Sequence, residues 1–324
     1  MITLSEIRTP VAAELNDFEH YFKDIMKTEV PLLNILLRYI LKRKGKQMRP
    51  LLVFLTGKLL GKPNQSTYTA AALIEILHTA TLIHDDVVDD AHERRGFFSV
   101  NAIWKSKVSV LLGDYLLAKG LLLAMNNKEY DLLQIVSNAV REMSEGELLQ
   151  IKYSRKLNIE EAEYFEIIKK KTATLIGCCS AGGAKSVGMG DDMVSKMKNF
   201  GEFLGIAFQI KDDLFDFQDN HSTGKPSWND LREKKLTLPL IYSLSKAERS
   251  DKRHIIHLLN NKSTNSNKYI EIVDFVKKKG GADYARHMMN EYSNLALNEL
   301  EHFPASDAKH SLVQFVHFTT TRTS

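Results

Sequence analysis

Residues 71–89 of the chain read AALIEILHTATLIHDDVVD, and their spacing decides the fold class. Steps of three and four connect positions on one face of an α-helix, and the positions that follow these steps are Ala71, Ile74, Leu77, Thr81 and Asp85. No proline occurs between positions 63 and 226, and proline breaks helix interiors. The sequence therefore predicts an all-α protein built from long successive helices.

Composition limits the classes of function. The chain has 324 residues, of which 44% are hydrophobic and 26% charged, as in ordinary soluble globular proteins. The formal net charge is +4, which argues against nucleic-acid binding because that function needs a concentrated basic face. Cys178 and Cys179 are adjacent and lack the spacing of zinc ligands. They indicate a reduced, cytoplasmic protein rather than a secreted disulfide scaffold.

The chain has no obvious linker, so we expect one helical domain over residues 1–324, with frayed ends at about 1–10 and 319–324. The N-terminus lacks the apolar block of a signal peptide. The most apolar stretch, Val108–Met125, contains Asp114 and Lys119. We expect it to be a buried core helix rather than a transmembrane segment.

An acidic motif occurs twice. Residues 85–89 read DDVVD and residues 212–216 read DDLFD, so both carry acids at positions i, i+1 and i+4. On a helix, i and i+4 lie one turn apart on the same face, where two carboxylates repel each other unless a cation is present. Mg²⁺ prefers oxygen ligands and keeps water and substrate phosphates in its shell. Two facing helices with such pairs would hold a diphosphate through magnesium.

The alternative interpretation of an acidic cluster is a solvated helix face, which is the usual case for a single copy. Here the flanks are apolar, because residues 80–83 read ATLI and residues 205–208 read GIAF. Acids on an apolar face need a partner, so two such copies favour a metal site.

Basic residues accompany the acids. Arg94 and Arg95 precede a glycine, and Lys46 and Arg49 lie in residues 45–50, GKQMRP. Arginine matches phosphate oxygens bidentately and lysine acts as a point charge. Alone, either pair is more often a surface charge. Acids for metal, bases for phosphate and apolar helices together indicate a diphosphate substrate that carries an apolar group.

At this point the sequence resembles the trans-isoprenyl diphosphate synthases of the polyprenyl synthetase family, over roughly residues 36–244, and most of all the octaprenyl-type, medium-to-long-chain synthases. The resemblance rests on ordered motifs at residues 45–50 (GKQMRP), 78–84 (HTATLIH), 94–96 (RRG), 113–116 (GDYL), 146–150 (GELLQ), 171–173 (KTA), 208–213 (FQIKDD), 224–226 (GKP) and 237–239 (TLP). It implies the isoprenoid synthase fold, a single helical bundle around a central catalytic cavity.

The resemblance also implies roles for individual residues. Three aspartates would hold magnesium ions, about three per active site, that bridge an allylic diphosphate: Asp85, Asp89 and Asp212. Three more would complete or support the cluster: Asp86, Asp213 and Asp216. The same diphosphate would contact Arg94, Lys171, Gln209 and Lys225. Isopentenyl diphosphate would bind Lys46, Arg49, His78 and Arg95. Thr172 and Lys235 would line the cation site, with Gln150 behind them.

The implied reaction joins isopentenyl diphosphate head-to-tail to an allylic diphosphate, with farnesyl diphosphate as the expected primer. Loss of diphosphate forms a carbocation, and metal ions and arginines stabilise charge as it develops on the leaving oxygens. The cation alkylates isopentenyl diphosphate, and the released pyrophosphate is the expected base for the proton that is then lost. Apolar helical walls exclude water, which would quench the cation.

Chain length is the finest detail that the resemblance addresses. Short-chain synthases of this family place aromatic bulk four or five residues before the first aspartate, where this chain has Thr81 and Ala80. Small residues leave the tunnel open, so we expect a product longer than C20. Leu77, Ile74 and Met125 are the candidates for a deeper floor.

Three alternatives remain at this point. A short-chain synthase would make farnesyl or geranylgeranyl diphosphate, which Ala80 and Thr81 argue against. A non-catalytic partner subunit should have lost aspartates, and both clusters are whole. A terpene cyclase would lack the isopentenyl pocket that Lys46, Arg49 and Arg95 suggest. By the same resemblance we expect a homodimer.

Two positions depart from the family pattern. The family usually has glycine where this chain has Trp228, and often glycine where it has Lys234. Both lie in the loop after the second acidic cluster, which helps to close the site, so the geometry of that lid is the feature they put in doubt.

Overall fold

The computed structural model describes most of the chain, which divides into two compact units. The described residues are 2–42, 47–94, 96–154, 159–217, 228–261 and 266–322, with residues 94, 154 and 229 described by their backbone alone. The first unit comprises Met1–Val140, Cys178–Lys198 and Phe303–Gln314. The second unit comprises Arg141–Gly177, Asn199–His302 and Phe315–Ser324. The prediction of one domain over the whole chain stays a prediction.

Helices dominate the described residues, and the all-α prediction is confirmed. In chain order the helices are α1 (Leu4–Arg8), α2 (Ala12–Ile25), α3 (Pro31–Leu41), α4 (Met48–Leu60), α5 (Gln65–Val88), α6 (Val100–Asn126), α7 (Tyr130–Ser154), α8 (Glu161–Ile168), α9 (Thr174–Ser186), α10 (Asp191–Phe215), α11 (Asn229–Arg232), α12 (Leu238–Ser245), α13 (Arg249–Asn260), α14 (Ser266–Lys278), α15 (Gly281–Glu301) and α16 (Asp307–Thr321). A 3₁₀ turn covers Thr9–Val11, and a π-helical segment covers Lys169–Ala173. The described strands, β1 (Glu93–Arg94) and β2 (Phe97–Phe98), pair antiparallel.

Local sequence explains where the two long helices of the first unit begin. Asn64 caps α5, because its side chain accepts hydrogen bonds from the backbone nitrogens of Ser66 and Thr67 at 2.8 and 3.3 Å. Ser99 caps α6 by accepting from the backbone nitrogen of Ala102 at 2.9 Å. Each cap satisfies backbone donors that have no partner within the helix. The starts of α5 and α6 are therefore fixed by their own sequences.

The first unit is centred on the packing of α5 against α6. Glycines on α6 allow the two backbones to approach, since a Cβ at Gly120 would lie 3.1 Å from a methyl carbon of Leu77. Nearby apolar residues of α3, α5 and α6 form a core cluster that includes Leu37, Ile76 and Leu116. Close packing of these helices positions the C-terminal end of α5, where the first acidic motif lies.

The second unit has two apolar clusters. One includes Tyr164 of α8, Ile210 of α10 and Leu238 of α12. The other includes Trp228, Leu240 and other buried residues of α11 to α14. The first of these clusters fixes α8 and α10, which carry the polar side chains described below.

The expectation of frayed ends needs correction on both sides. Near the N-terminus, Thr3 and Glu6 form a capping box for α1, and Ile7 is fully buried. Near the C-terminus, α16 continues to Thr321, and Thr319 is 1% exposed. Burial of apolar and capped residues at each end compensates for the entropy that ordering costs.

Helix α6 was expected to be a buried core helix, and this is only partly right. Among the described residues, α6 is the one helix with the length and hydropathy to cross a membrane, and 33% of its most apolar window is buried. One face packs in the core through Leu112 and Leu116, whereas Leu111 and Leu122 are 60% and 57% exposed. The helix thus carries an exposed apolar face as well as a buried one.

Candidate active site

The first acidic motif lies at the C-terminal end of α5. Asp85 and Asp86 are in the last turn, and Asp89 is the capping residue, whose backbone nitrogen donates to the carbonyl of Asp85 at 2.8 Å. Asp86 is buried, Asp85 is half-buried and Asp89 is exposed. The C-terminal end of a helix dipole is negative and disfavours carboxylates. Three acids placed there are suited to a cation.

Arg49 and His78 lie near the same part of α5. The Nε of Arg49 lies 3.2 Å from a carboxylate oxygen of Glu75, and both side chains are mostly buried. His78 follows Glu75 by three residues and therefore shares its helix face. Glu75 could not be identified from the sequence, because only the folded chain shows that it holds Arg49.

Several predicted site residues cannot be placed. Lys46, Arg95 and Lys225 lie outside the described residues. Arg94 is in β1, with its backbone described and its side chain not. Their predicted roles in phosphate binding stay predictions.

The second unit contains a cavity of about 120 Å³ that several predicted residues line. These are Gln150, Lys171, Thr172, Gln209, Asp213 and Lys235. The wall also includes apolar side chains such as Ile167 and Leu236. The structure therefore brings together the residues expected around the cation site and the support of the second acidic motif.

Hydrogen bonds join four of the polar side chains at this cavity. Thr172 Oγ1 donates to Gln209 Oε1 at 2.8 Å, and Gln209 Nε2 donates to Asp213 Oδ1 at 2.9 Å. The phenol of Tyr164 donates to the other carboxylate oxygen of Asp213 at 2.6 Å. Tyr164 and Asp213 are each 3% exposed. Tyr164 could not be identified from the sequence, because it lies 49 residues from its partner.

Burial controls the charge of this pair. Desolvation raises the pKa of Asp213 to about 7, although the hydrogen bonds from Tyr164 and Gln209 act in the opposite direction. Desolvation, with the adjacent charge of Asp213, also raises the pKa of Tyr164 well above its usual value. The phenol therefore stays protonated and keeps its role as donor.

Lys171 lies in the π-helical segment and has two partners on α7. Its Nζ is 2.6 Å from a carboxylate oxygen of Glu147 and 3.1 Å from the amide oxygen of Gln150. Gly146 makes this approach possible, because a Cβ there would lie 2.8 Å from the backbone nitrogen of Lys171. This close contact between α7 and the π-helical segment positions both Lys171 and Thr172.

The second acidic motif also lies at a helix C-terminus, that of α10. Asp212 is in the last turn of α10 and is paired with Arg322, one residue beyond α16. The guanidinium of Arg322 also packs over the rings of Phe208 and Phe215, at 4.1 and 5.5 Å from their centres. The guanidinium of Arg322 is thus paired with a carboxylate that was predicted to bind metal. The sequence contained no signal for this contact.

Asp216, the last aspartate of the second acidic motif, contacts Asp230, which lines the cavity. Asp216 caps α11, because its carboxylate accepts from the backbone nitrogens of Asp230 and Leu231 at 2.8 and 3.4 Å. Asp230 lines the cavity, and burial together with the charge of Asp216 raises its pKa to about 6. Asp230 could not be identified from the sequence, because it is a single acid between Trp228 and Leu231 and belongs to no motif.

The two departures from the family pattern have a shared backbone explanation. Trp228 has φ of 43° and Lys234 has φ of 57°, so both occupy the left-handed region in which glycine has no steric cost. Trp228 compensates by burial, since its ring is 8% exposed and stacks on Tyr269 at 5.4 Å. The glycines that the family usually has at these positions suit the left-handed backbone conformation, and this chain keeps that conformation with a tryptophan and a lysine.

The two predicted chain-length residues differ in exposure. Ala80 is fully buried in the apolar cluster of α3, α5 and α6. Thr81 is half-buried, and its hydroxyl donates to the carbonyl of His78 at 2.9 Å. A large side chain has more room at Thr81 than at Ala80.

The donor sets fit hard divalent cations that are completed by substrate. In the part of the chain that the structure describes, no three carboxylate, histidine or cysteine groups converge as a preassembled metal site. Mg²⁺ bound to phosphates needs only one or two carboxylates and keeps its waters. Carboxylates at the C-terminal ends of α5 and α10 supply such oxygens, and the guanidinium at Asp212 shows that this position accepts a positive group.

Comparison with known proteins identifies the family. The family model for polyprenyl synthetase matches residues 30–276. The chain belongs to the polyprenyl synthetase family. Geranylgeranyl diphosphate synthase of Saccharolobus solfataricus is 33% identical over 319 residues, which cover 95% of this chain and 96% of that protein. As a member of this family, the chain is a prenyltransferase, and the predicted family and enzyme class are confirmed.

Two further relatives show the range of the family. All-trans-nonaprenyl-diphosphate synthase of Rhodobacter capsulatus is 32% identical, with 98% of this chain and 97% of that protein covered. The crystal structure of a polyprenyl synthase from Caulobacter crescentus, complexed with calcium and isoprenyl diphosphate, matches with a TM-score of 0.89 and 30% identity. The match covers 99% of this chain and 98% of that chain. Together with the geranylgeranyl diphosphate synthase, these names range from short-chain to long-chain products, so they do not decide product length.

Proposed function

We propose that this polyprenyl synthetase family member adds isopentenyl diphosphate units to an allylic diphosphate, with farnesyl diphosphate as primer, and makes a medium-to-long all-trans polyprenyl diphosphate. The observation that carries the proposal is the pair of acidic motifs at the C-terminal ends of α5 and α10. The cavity lined by Lys171, Thr172 and Gln209 supports it.

Magnesium is the proposed metal, with three ions per active site. Asp85, Asp89 and Asp212 would be the protein ligands, and the diphosphate and water would complete each shell. The Caulobacter relative, which is complexed with calcium and isoprenyl diphosphate, supports the use of a divalent ion. When bound, these ions would stabilise the negative charge that develops on the leaving diphosphate.

The remaining residues keep their proposed roles. Asp86, Asp213 and Asp216 support the acidic clusters, and Arg94, Lys171, Gln209 and Lys225 contact the allylic diphosphate. Lys46, Arg49, His78 and Arg95 bind isopentenyl diphosphate, and Thr172, Lys235 and Gln150 serve the cation site. The contact between Arg49 and Glu75 supports this assignment, because it holds a guanidinium near His78.

The cavity walls suit a carbocation reaction. Apolar side chains exclude water, which would capture the cation. Lys171 stays beside Glu147 and Gln150 and brings a positive charge to the leaving diphosphate. The diphosphate that leaves is itself basic enough to take the proton, so no protein base is required by the proposal.

Product length longer than C20 is the finer part of the proposal. Thr81 and Ala80 stand where short-chain synthases of the family have aromatic bulk, and both are small. The alternative product is farnesyl or geranylgeranyl diphosphate, and the identity to a geranylgeranyl diphosphate synthase favours it.

One assay tests the proposal and its alternatives. The purified chain is incubated with Mg²⁺, farnesyl diphosphate and labelled isopentenyl diphosphate, and the products are sized by chromatography. Products longer than C20 support the proposal, and products that stop at C15 or C20 support the short-chain alternative. No incorporation by the pure chain would favour a subunit that needs a catalytic partner.

We also propose a cytoplasmic homodimer. Helix α6 exposes large apolar side chains that include Leu111, Leu122 and Met125, and exposed apolar patches mark interaction surfaces. A second copy that packs on this face would remove it from water. Light scattering on the purified chain should give twice the monomer mass of 36.8 kDa, and a monomer would refute the proposal.

A further inference from the structure

The hydrogen-bond chain at the cavity has a fixed direction. Both carboxyl oxygens of Asp213 accept a hydrogen bond from a neighbouring side chain. Tyr164 supplies one donor and the amide nitrogen of Gln209 supplies the other. With its nitrogen held by Asp213, Gln209 must present its carbonyl oxygen to Thr172.

The direction of these hydrogen bonds determines how the Thr172 hydroxyl is oriented. A hydroxyl has one hydrogen to donate and two lone pairs. The hydrogen of Thr172 is directed to Gln209 at 2.8 Å, so the lone pairs are what remain for the cavity that Thr172 lines. The hydroxyl therefore presents the negative end of its dipole to the cavity.

We propose that Tyr164 and Asp213 are positioning residues that act through Gln209 to keep the oxygen lone pairs of Thr172, rather than its hydrogen, toward the allylic carbocation. The inference rests on the proposed function, in which Thr172 lines the cation site. A dipole that is oriented before the reaction stabilises the developing charge without reorganisation. Burial of Tyr164 and Asp213, each 3% exposed, strengthens the network because the local dielectric is low.

Asp213→Asn tests the direction directly. Asparagine offers one acceptor and one donor where the carboxylate offered two acceptors, so the two hydrogen bonds from Tyr164 and Gln209 can no longer both be kept. When the amide turns toward Gln209, Gln209 turns its own oxygen toward residue 213 and its nitrogen toward Thr172. The hydroxyl becomes an acceptor and its hydrogen faces the cavity. We expect kcat to fall about 10²-fold, the loss typical of one misdirected dipole in an active site, while KM for isopentenyl diphosphate changes little.

A double-mutant cycle separates this mechanism from a general structural defect. In a Thr172→Val background there is no hydroxyl to reverse, so Asp213→Asn should cost less than about threefold. Equal losses in both backgrounds would overturn the inference. Mn²⁺ binding to the substrate-free protein is measured in parallel, because loss of the metal site at Asp212 would lower kcat in both backgrounds.

Tyr164→Phe provides a second variant that retains the buried ring. It removes one donor from Asp213, and we expect a smaller fall in kcat, about fivefold for a loss near 1 kcal/mol, that disappears in the Thr172→Val background. Persistence of the loss in that background would also overturn the inference. Wild-type turnover distinguishes the two levels: an active wild type with additive variants refutes this inference alone, whereas an inactive wild type refutes the proposed function and this inference with it.

Discussion

Gly146 allows α7 to approach the π-helical segment, so its replacement should displace the residues of the cation site. A Cβ at Gly146 would lie 2.8 Å from the backbone nitrogen of Lys171 and 3.1 Å from its Cα. Ordinary contact begins at 3.4 Å, so the segment must move by about 0.6 Å (3.4 less 2.8). A misplacement of 1 Å in an active site can cost about 10²-fold in rate.

We therefore expect Gly146→Ala to lower kcat about tenfold. Overpacking costs about 1–3 kcal/mol, and alanine regains about 1 kcal/mol of helix propensity, so the free energy of unfolding should fall by about 0–2 kcal/mol. Labelled isopentenyl diphosphate incorporation measures kcat, and urea unfolding measures stability. Gly190→Ala is the control, because a Cβ there meets nothing within 4 Å. Wild-type kcat in Gly146→Ala would refute the reasoning.

Three further changes test other parts of the structure. Thr81→Phe should shorten the product, which chromatography detects, whereas an unchanged length would remove the chain-length rationale. In metal-free protein the pKa of Asp213 is about 7, so its protonation stabilises the fold fully below about pH 4, and this stability is lost as the pH rises through 7. Asp213→Asn, which is neutral at every pH, should therefore raise Tm more at pH 8.5 than at pH 5. Equal shifts in Tm at the two pH values would contradict the pKa assignment. Arg322→Gln removes the guanidinium that is paired with Asp212, and a partly exposed ion pair is worth about 1 kcal/mol. The affinity for Mn²⁺ without substrate, measured by calorimetry, should therefore rise up to about fivefold. Weaker Mn²⁺ binding would argue that Arg322 positions Asp212 instead.

The helical class and the acidic motifs could be predicted from the sequence because both depend on local spacing. Steps of three and four residues and the absence of proline between positions 63 and 226 indicate helices directly. Asp85 and Asp212 could be predicted as metal ligands because carboxylates in apolar surroundings need a cation, and that role stays a prediction. The same local reasoning was only partly right for α6, whose Asp114 and Lys119 favoured a core helix over a membrane span but did not show which apolar side chains stay exposed.

The contacts that organise the site depend on residues far apart in sequence. Tyr164 reaches Asp213, and Arg322 reaches Asp212 across 110 positions. Nothing in the local pattern around Tyr164 or Arg322 shows that their partners are Asp213 and Asp212 rather than other acids of the chain. Frayed ends were expected because terminal residues usually lack partners, and Arg322 reverses that expectation by packing on Phe208 and Phe215.

Turnover of Asp85→Ala and Asp212→Ala is the most direct test of the claim that both acidic motifs serve one diphosphate. Metal stabilisation of the leaving group is worth several kcal/mol, and each 1.36 kcal/mol is tenfold in rate, so each variant should lose about three orders of magnitude or more. Asp191→Ala, which removes a carboxylate that is 97% exposed, is the control and should retain wild-type turnover. Near-normal incorporation of isopentenyl diphosphate by either aspartate variant would contradict the account.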